Sequence, residues 1–593
     1  MASESYDIII VGGGTAGLVL AHRLLENQNL RILILEAGED RAADPNTLTP
    51  GAWPLLAMSP ANWLFKTVAQ PELGGKQISI PQGKALGGSS AINSFLFIST
   101  SKDNVDAWEG LGNQGWDYLA FESALKKAYS LHMPSGETEG DGPLQTTLGA
   151  GDGFWEKAWI EGLESMGFPA IMPLSGRVGG PNIATESINY NNKQRSYAAN
   201  AYLAPVQNHP NLTVRTKAVV AKVLFDKGSS GSDAVATGVQ LSSGENITAS
   251  REVILCAGVF NSSRILERSG IGGADLLQGL EIDVIVDNPH VGENLQNHVY
   301  TGLTFEVIDE VDTIDSFFRK DPEAVSAAFL DYKTKGTGPM STSNLRITAQ
   351  LPLPELQTGE GRQKVDQLVV SQASPPAPTT TAFADAHSEY VRSTLTSPSR
   401  AVGNYIFGPA YTPFEGPDPT YRAPGKYVSV VINLSHPLSR GHVHITSTAA
   451  TVADKGEGVA IDPRYLSHPL DLEVLARQVR FAEDLVTRAE PLVRYLKPYA
   501  KRFGDLDAAK DYVVRTATGA HHYTGTCSMM PRAMGGVVDH RLRVHGVTNL
   551  RVLDASIIPL EPTANPQAVV YGVAELGAGI IKADLLGASG RGF

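Results

Sequence analysis

The feature that most constrains this chain is a glycine-rich turn between a strand and a helix near its beginning. Residues 6 to 11, Y-D-I-I-I-V, predict a short buried strand because they are apolar, β-branched and followed by glycines. The next six residues, G-G-G-T-A-G, supply Gly12, Gly14 and Gly17, and an apolar helical pattern follows. A second strand is predicted at residues 31 to 35. This order is typical of a dinucleotide-binding βαβ unit.

The same turn predicts how a phosphate would be held. Glycines let the backbone approach a pyrophosphate, and the helix N-terminus stabilises its negative charge. Glu36 lies 24 residues after Gly12, where an acid accepts a hydrogen bond from a ribose 2′-hydroxyl. Its charge would repel a 2′-phosphate, which disfavours NADP. The motif leaves NAD and FAD open, and the plain alternative is a tight turn that binds no ligand.

Length and composition exclude several classes. The chain has 593 residues, 42% hydrophobic and 19% charged, which is an ordinary globular composition for about two to four domains. A net charge of −13 disfavours nucleic acid and anionic membranes as partners. With no secretory leader and no apolar run of about 18 residues, the expectation is a cytoplasmic protein without a transmembrane helix. Two cysteines exclude a disulfide framework, and no metal site is predicted.

A second glycine-rich stretch, residues 83 to 93, reads G-K-A-L-G-G-S-S-A-I-N. Its N–H groups and hydroxyls suit phosphate or flavin oxygens, whereas the plain alternative is a flexible linker. The stretch resembles the first signature of the glucose–methanol–choline (GMC) flavoprotein oxidoreductases. Residues 258 to 272 resemble the second signature, with Val259 where a small residue is usual. Further similar blocks follow in the family's order at Trp108 and at residues 112–116, 195–196, 211–214, 291–298 and 439–441.

The resemblance implies an α/β fold, in which a Rossmann-like FAD-binding domain is joined to an α+β substrate domain with an antiparallel sheet. The scattered motifs require a discontinuous FAD-binding domain, predicted at residues 1–150, 195–300 and 515–593. Residues 302–514, with part of 151–194, would form the substrate domain.

Local patterns predict several elements within this frame. Strands are expected at residues 428–434, 442–446 and 551–553, and an amphipathic helix at 470–487. Residues 226–233 predict a hairpin turn. Two irregular loops are expected, a polar one at 134–153 and a Pro/Thr-rich one at 374–384, the latter either a solvated loop or a lid over the substrate entrance.

The cofactor that the resemblance implies is FAD. Some family members tether the flavin through a histidine at the position that Ile92 occupies here, so FAD is expected to be non-covalent. Carried over by position, its contacts would come from Gly12, Gly14, Thr15, Ala16, Gly17, Glu36, Ala37, Trp63, Gly87, Asn93, Ser94, Phe95, Leu96, Val220, Asp554, Ala555, Pro566 and Gln567.

Two adjacent histidines precede a G-T-C turn. The family places its catalytic histidine three residues before the glycine of that turn, which gives His522. His521 would then line the same pocket without transferring a proton. Eleven residues after Asp554, Asn565 stands where the family has His or Asn. The plain alternatives are a hydrogen-bonded structural histidine and an Asn-Pro turn.

These residues predict alcohol chemistry. An alcohol is a poor hydride donor until its O–H proton leaves, so His522 would act as base and Asn565 would donate a hydrogen bond to the developing alkoxide. The expected function is FAD-dependent oxidation of a primary or benzylic alcohol to an aldehyde, with O₂ or a quinone as electron acceptor and a possible place in secondary metabolism. Two alternatives remain: a non-redox cyclase or lyase that keeps FAD as scaffold and uses His522 as acid–base, and a non-catalytic flavin-binding protein.

Overall fold

The glycine-rich βαβ unit lies at the centre of a parallel sheet. In the computed structural model, strand Tyr6–Val11 lies between Ile32–Leu35 and the second half of Asn246–Leu255, parallel to both. Leu212–Arg215 and Leu550–Val552 extend the parallel sheet on either side. The carboxyl ends of these strands therefore meet at one edge, where open α/β sheets bind ligands. The structure describes residues 5–26, 29–226, 233–371, 381–415, 425–448 and 457–585.

An antiparallel extension continues this sheet. Val220–Asp226 pairs with Ala234–Leu241, which pairs in turn with the first half of Asn246–Leu255, and Val547–Thr548 adds a short parallel pairing. The flanking strands are antiparallel, as a hairpin at residues 226–233 requires. Residues 227–232 of that predicted turn lie outside the described residues.

A second sheet of six strands is wholly antiparallel. Its strands in spatial order are Thr518–Gly519, Val299–Glu306, Tyr427–Leu434, Gly403–Gly408, Ile347–Leu351 and Gly180–Ile183. One face packs on helices Phe154–Ser165, Pro469–Arg488 and Leu506–Thr516 through a shared apolar core. On the other face, Ile406 packs with Leu96, Ile98 and Ala564. The predicted fold class is confirmed.

Smaller sheets complete the fold. Three two-stranded ladders join Phe65–Lys66 to Ser79–Ile80, Ile271–Gly272 to Val286–Asp287, and His442–Ile445 to Val459–Asp462 within the described residues. A mixed sheet has the strand order Leu96–Phe97, Thr185–Glu186, Leu144–Thr147, Tyr129–His132 and Thr138–Glu139. The prediction of an irregular loop at 134–153 is thus wrong in part, because two of these short strands lie within it.

The α-helices pack against these sheets. The prediction of a Pro/Thr-rich loop at 374–384 is wrong at its end, because a helix begins at Thr381 and includes the A-F-A-D-A-H stretch. Residues 374–380 of that predicted loop lie outside the described residues. None of the described helices is long and apolar enough to cross a bilayer. The helices are Thr15–Leu24, Pro45–Leu48, Lys102–Gly110, Tyr118–Lys126, Phe154–Ser165, Val259–Arg268, Ala274–Gly279, Asp315–Phe318, Pro322–Lys335, Gly359–Ser371, Thr381–Leu395, Pro469–Arg488, Leu506–Thr516 and Gln567–Leu585.

The division into two domains stays a prediction. The strands expected at 428–434, 442–446 and 551–553 and the helix expected at 470–487 are confirmed within one or two residues. The predicted boundaries at 300 and 515, however, cut through the antiparallel sheet. Val299 and Tyr300 and their partners Gly519 and Thr518 fall in the predicted FAD-binding domain, whereas the rest of strand Val299–Glu306 falls outside it. Gly180–Ile183 joins the same sheet, as expected for part of 151–194.

Candidate active site

The first glycine-rich turn owes its shape to two close backbone approaches. Gly12 has φ +107°, and a Cβ on it would lie 2.3 Å from the carbonyl oxygen of Cys256. A Cβ on Gly17 would lie 2.0 Å from the carbonyl oxygen of Gly12. A side chain at Gly12 would push the turn away from Cys256, and one at Gly17 would push helix Thr15–Leu24 away from the first strand. Gly17 packs on the Gly12 carbonyl and does not line the cavity, so its contact with the cofactor stays a prediction.

The second glycine-rich stretch folds directly onto the first. Gly87 N–H donates to the Gly13 carbonyl at 2.8 Å, and a Cβ on Gly88 would lie 2.8 Å from Gly14 Cα. The stretch is therefore an ordered wall rather than a linker. Gly87 itself faces the ring of Tyr197 and does not line the cavity, so its contact with the cofactor stays a prediction. Its neighbour Gly88 lines the cavity instead.

Both turns border a cavity with about 1580 Å³ of empty space, part of it open to solvent. Apart from Gly17 and Gly87, every residue expected to contact the cofactor lines this cavity, together with both members of the expected catalytic pair and His521. These residues are Gly12, Gly14, Thr15, Ala16, Glu36, Ala37, Trp63, Asn93, Ser94, Phe95, Leu96, Val220, Asp554, Ala555, Pro566, Gln567, His521, His522 and Asn565.

Glu36 sits at the end of its strand as a buried acceptor. Its Oε2 accepts the Gly13 N–H at 2.9 Å and its Oε1 accepts the Gly38 N–H at 2.7 Å. Burial raises the pKa of Glu36 to about 7, although both hydrogen bonds favour the carboxylate. A ligand hydroxyl in the cavity would therefore meet a fixed, nearly unsolvated acceptor, which fits the ribose of a dinucleotide.

Asp554 ties two distant segments together beside the cavity. Its Oδ2 accepts the Gly258 N–H at 2.9 Å and the Ser262 hydroxyl at 2.6 Å. Its Oδ1 accepts the Ser556 N–H at 2.8 Å. The carboxylate thereby fixes the start of helix Val259–Arg268 against the C-terminal segment.

Arg195 is an organising residue that the sequence reasoning did not select as a site residue. Its Nη2 donates to the Asn93 carbonyl at 2.8 Å, its Nη1 to Asn93 Oδ1 at 2.7 Å and its Nε to the Thr47 carbonyl at 2.8 Å. The guanidinium also lies 3.6 Å from the centroid of the Phe95 ring. The signal was present, because Arg195 belongs to one of the blocks that resemble the family.

Helix Val259–Arg268 contributes cavity residues that were also missed. Asn261, Arg264 and Arg268 line the cavity. Arg264 is almost fully buried, and its Nε and Nη2 have no hydrogen-bond partner among the described residues. Burial, with Arg268 nearby, lowers the pKa of Arg264 to about 9. Unsatisfied cationic donors of this kind fit the oxygens or ring nitrogens of a bound dinucleotide.

His522 and Asn565 meet at the cavity wall. Asn565 Nδ2 lies 3.0 Å from His522 Nε2, and His522 Nδ1 lies 2.9 Å from Nδ1 of His298. His298 Nε2 lies 2.8 Å from the Pro562 carbonyl oxygen. A carbonyl only accepts, so His298 donates from Nε2 and its Nδ1 accepts from His522 Nδ1–H. The lone pair of His522 Nε2 then faces the Asn565 N–H₂ group.

Burial favours the neutral forms of the His522 and His298 imidazoles. Burial lowers the pKa of His522 well below its ordinary value, and the neighbouring rings of His298 and His521 lower it further. Burial also lowers the pKa of His298 to about 4. An unprotonated His522 with its lone pair on Nε2 is the form in which imidazole accepts a proton.

His298 was missed as a site residue, although it closes the block at 291–298 that resembles the family. His521 has φ +64° and lines the cavity, but the hydrogen bonds that join His522 to Asn565 and His298 do not include it.

Two relatives match along nearly the whole chain. The GMC oxidoreductase family protein Mala s 12 of Malassezia sympodialis is 33% identical, and the alignment covers 98% of this chain and 92% of that protein. The oxygen-dependent choline dehydrogenase of Stenotrophomonas maltophilia is 31% identical, with 98% and 95% covered.

Solved structures match over a similar span. An FAD-dependent oxidoreductase from Chaetomium thermophilum has a TM-score of 0.86 at 26% identity, with 98% of this chain and 100% of that chain covered. A formate oxidase has a TM-score of 0.84 at 27% identity, and a fungal aryl-alcohol oxidase 0.80 at 25%; each comparison covers 98% of this chain and 99% of the other.

Family models agree with these relatives. Residues 6–300 match one model and residues 437–574 a second, and both are described as GMC oxidoreductase. The two matches include both glycine-rich turns, the segment with His522 and the segment with Asn565. The chain belongs to the GMC oxidoreductase family.

Proposed function

We propose that this protein oxidises an uncharged primary or benzylic alcohol to an aldehyde, with non-covalently bound FAD, His522 as base and Asn565 as hydrogen-bond donor. One observation carries the proposal. The Pro562 carbonyl orients His298, and His298 orients His522, so that a neutral Nε2 lone pair faces an amide donor at the cavity wall.

FAD is the cofactor, and when bound it supplies the hydride acceptor. The residues of this chain perform the proton chemistry. His522 Nε2 accepts the proton of the alcohol O–H while Nδ1–H stays hydrogen-bonded to His298. Asn565 Nδ2 has two N–H bonds, so it can donate to the substrate oxygen as negative charge develops there. Ile92 is buried and apolar, which supports cofactor binding without a covalent tether at that position.

The charge of the lining favours a neutral substrate. The charged residues lining the cavity in the described part of the chain are Glu36, Asp554, Arg264 and Arg268. Glu36 and Asp554 are held by backbone N–H groups, and both arginines lie on helix Val259–Arg268. None of these groups hydrogen-bonds to the catalytic pair. A carboxylate or quaternary ammonium substrate would lack a counter-charge there, which disfavours formate and choline.

Anaerobic flavin reduction tests the proposal. Acid precipitation of the purified holoprotein is expected to release yellow flavin into the supernatant. Aliphatic and benzylic primary alcohols are then added without oxygen, with formate and choline as charged comparisons. We expect a neutral alcohol to bleach the flavin absorbance and the charged compounds not to. Readmitted air or an added quinone then identifies the electron acceptor. Bleaching by formate or choline alone would overturn the neutral-substrate proposal, and a flavin that stays oxidised throughout would favour non-redox chemistry at His522.

Glu36 offers a test of cofactor binding. We expect Glu36→Leu to raise the dissociation constant of FAD at least about tenfold, because it removes the ribose acceptor and leaves two N–H groups unsatisfied at about 1–3 kcal/mol each. Titration of the apoprotein with FAD, followed by flavin fluorescence, measures this constant. The control is Glu39→Leu, since Glu39 is exposed and paired with Lys217 away from the cavity. Equal effects of the two substitutions would contradict the role of Glu36.

The pH dependence follows from the lowered pKa of His522. A base must be unprotonated to act, and the lowered pKa keeps His522 unprotonated through neutrality. We expect the rate constant for flavin reduction to be independent of pH from about 6.5 upward and to fall about tenfold per pH unit below the pKa of His522. Stopped-flow reduction at saturating alcohol measures it. A rate that keeps rising between pH 7 and 9 would contradict a neutral His522 base.

A further inference from the structure

We infer that a row of buried hydrogen-bonding side chains outside the cavity, Thr348, Asn182, Gln350 and Asn404, fixes which way the Asn565 amide faces and so positions the catalytic pair. This row is called the amide chain below. The inference rests on the proposed function for its effect on rate, but the positioning itself is open to measurement without turnover.

The amide chain is continuous. Thr348 Oγ1 donates to Asn182 Oδ1 at 2.7 Å, and Asn182 Nδ2 donates to Gln350 Oε1 at 2.8 Å. Gln350 Nε2 donates to Asn404 Oδ1 at 2.9 Å, and Asn404 Nδ2 donates to Asn565 Oδ1 at 3.3 Å. Every amide uses its oxygen as acceptor on one side and its nitrogen as donor on the other. The orientation of each member is therefore coupled to that of the next.

The groups beyond Asn565 require the same direction of hydrogen bonding as the amide chain. Beyond Asn565 the hydrogen bonds pass through His522 and His298 to the Pro562 carbonyl, which only accepts. If every amide were reversed, Asn565 Oδ1 would face His522 Nε2, and His298 Nε2 would turn a lone pair towards the Pro562 oxygen. Two acceptors would then face each other in a buried site. Only when each group donates its hydrogen bond in the direction from Thr348 to Pro562 does every donor face an acceptor.

The location of the amide chain indicates that its side chains do more than fill the space between strands. Its members come from the neighbouring strands Gly180–Ile183, Ile347–Leu351 and Gly403–Gly408, and all are at most 2% exposed. Ile406 of the last strand packs into an apolar cluster with Leu96, which lines the cavity, and Ala564, which precedes Asn565. Burying four polar side chains beside such a cluster is costly unless each is satisfied, and apolar side chains would fill the same space without that requirement.

The consequence is a pre-oriented donor. With Oδ1 held by Asn404, Asn565 must present Nδ2 to His522 and cannot rotate its oxygen into that position. Gln350 and Asn404 touch no reacting atom, so they are positioning residues that act through Asn565. Their effect should vanish when Asn565 is no longer able to donate.

A double-mutant cycle tests this dependence. Gln350→Met keeps the size of the side chain and removes both hydrogen bonds. We expect it to slow flavin reduction by alcohol about tenfold in the wild-type background, the equivalent of one lost hydrogen bond, and to change the rate little in the Asn565→Leu background. The same factor in both backgrounds would overturn the inference and leave a structural role. Thr301→Val is the matched control, since Thr301 is fully buried in the same sheet and bonded to Thr516 outside the amide chain.

Ring-nitrogen NMR of the holoprotein provides a readout without turnover. In ¹⁵N-histidine-labelled protein, with His522→Gln for assignment, we expect the His522 signals of the tautomer protonated at Nδ1. In Gln350→Met we expect the Nδ1–H tautomer to persist, because the Pro562 carbonyl sets it through His298, and the Nε2 resonance to shift towards that of an unbonded lone pair, because the Asn565 amide is no longer held to donate to it. An unchanged Nε2 resonance would overturn the inference. A shifted Nε2 resonance in a protein that oxidises no alcohol would support the positioning and reject the proposed function.

A second variant covers the case in which Gln350→Met fails to fold. Gln350→Glu keeps the acceptor for Asn182 but donates to Asn404 only when protonated. We expect its flavin reduction to approach that of the wild type at low pH and to fall as the carboxyl ionises, relative to the wild type at each pH. A ratio that does not change with pH would contradict the inference.

Discussion

Replacing His522 with alanine is expected to slow the reduction of FAD by alcohol about 10²- to 10⁴-fold, the range that a positioned general base supplies. The substitution removes the Nε2 lone pair that faces Asn565 and leaves no other unprotonated imidazole in that hydrogen-bonded position. The fold should survive, because the hydrogen bond from the His522 backbone N–H to Asn297 Oδ1 does not involve the imidazole. The loss should therefore appear in the reduction rate and not in FAD content.

The neighbouring histidine is the matched control. Stopped-flow reduction under anaerobic conditions gives the rate constant, and the flavin spectrum gives the cofactor content of each variant. His521→Ala removes an imidazole from the same cavity wall, yet we expect it to change the rate by less than about threefold, since His521 takes no part in the hydrogen bonds of the catalytic pair. The reverse result, with a large loss only in His521→Ala, would make His521 the base.

Replacing Asn565 with leucine is expected to lower the same rate constant about 10²- to 10³-fold, as the loss of one donor to a developing oxyanion does in other enzymes. Leucine is close to asparagine in size but offers no N–H to His522 Nε2 or to the substrate oxygen. Its effect on the binding of FAD should be small, because Pro566 and Gln567, which line the cavity and are predicted to contact the cofactor, are unchanged.

The variant Asn565→Asp separates the effect of losing the N–H₂ donor from the effect of changing the side-chain shape. Aspartate keeps the size of asparagine but has no N–H₂ group, and when ionised it has no hydrogen to donate. Its charge beside His522 would also raise the pKa of that imidazole. We therefore expect a slow variant whose acid limb lies at higher pH than in the wild type. Rates within about threefold of the wild type in both Asn565 variants would exclude Asn565 as the donor.

Local signals in the sequence were enough to predict the βαβ unit at the centre of the fold. The strand, glycine-rich turn, helix and acid lie within about 30 consecutive residues, and each constrains the next through backbone geometry. The register of the G-T-C turn likewise led to His522, which the structure brings within 3.0 Å of Asn565. These two residues are 43 positions apart in the sequence, so only the family resemblance connected them beforehand.

Other features depend on contacts that no local pattern contains. Leu144–Thr147 is a strand because it pairs with Tyr129–His132 and meets Glu186, and its own residues read as part of a polar loop. Arg195 reaches back to Asn93 across about 100 residues. The amide chain draws single side chains from three strands, and an isolated Asn or Gln in a strand gives no sign of its partner. In each case the distant partner, and not the local segment, decides the structure.

The order in which the cavity wall is encoded affects when the protein can acquire its cofactor. The wall includes residues from Val11 to Val570. The parallel strand Leu550–Val552 and the wall residues Asp554 and Asn565 come late in that order. A nascent chain still on the ribosome therefore lacks part of the cavity wall until residue 570 has emerged. For the FAD site proposed above, cofactor loading is then expected to follow the synthesis of nearly the whole chain.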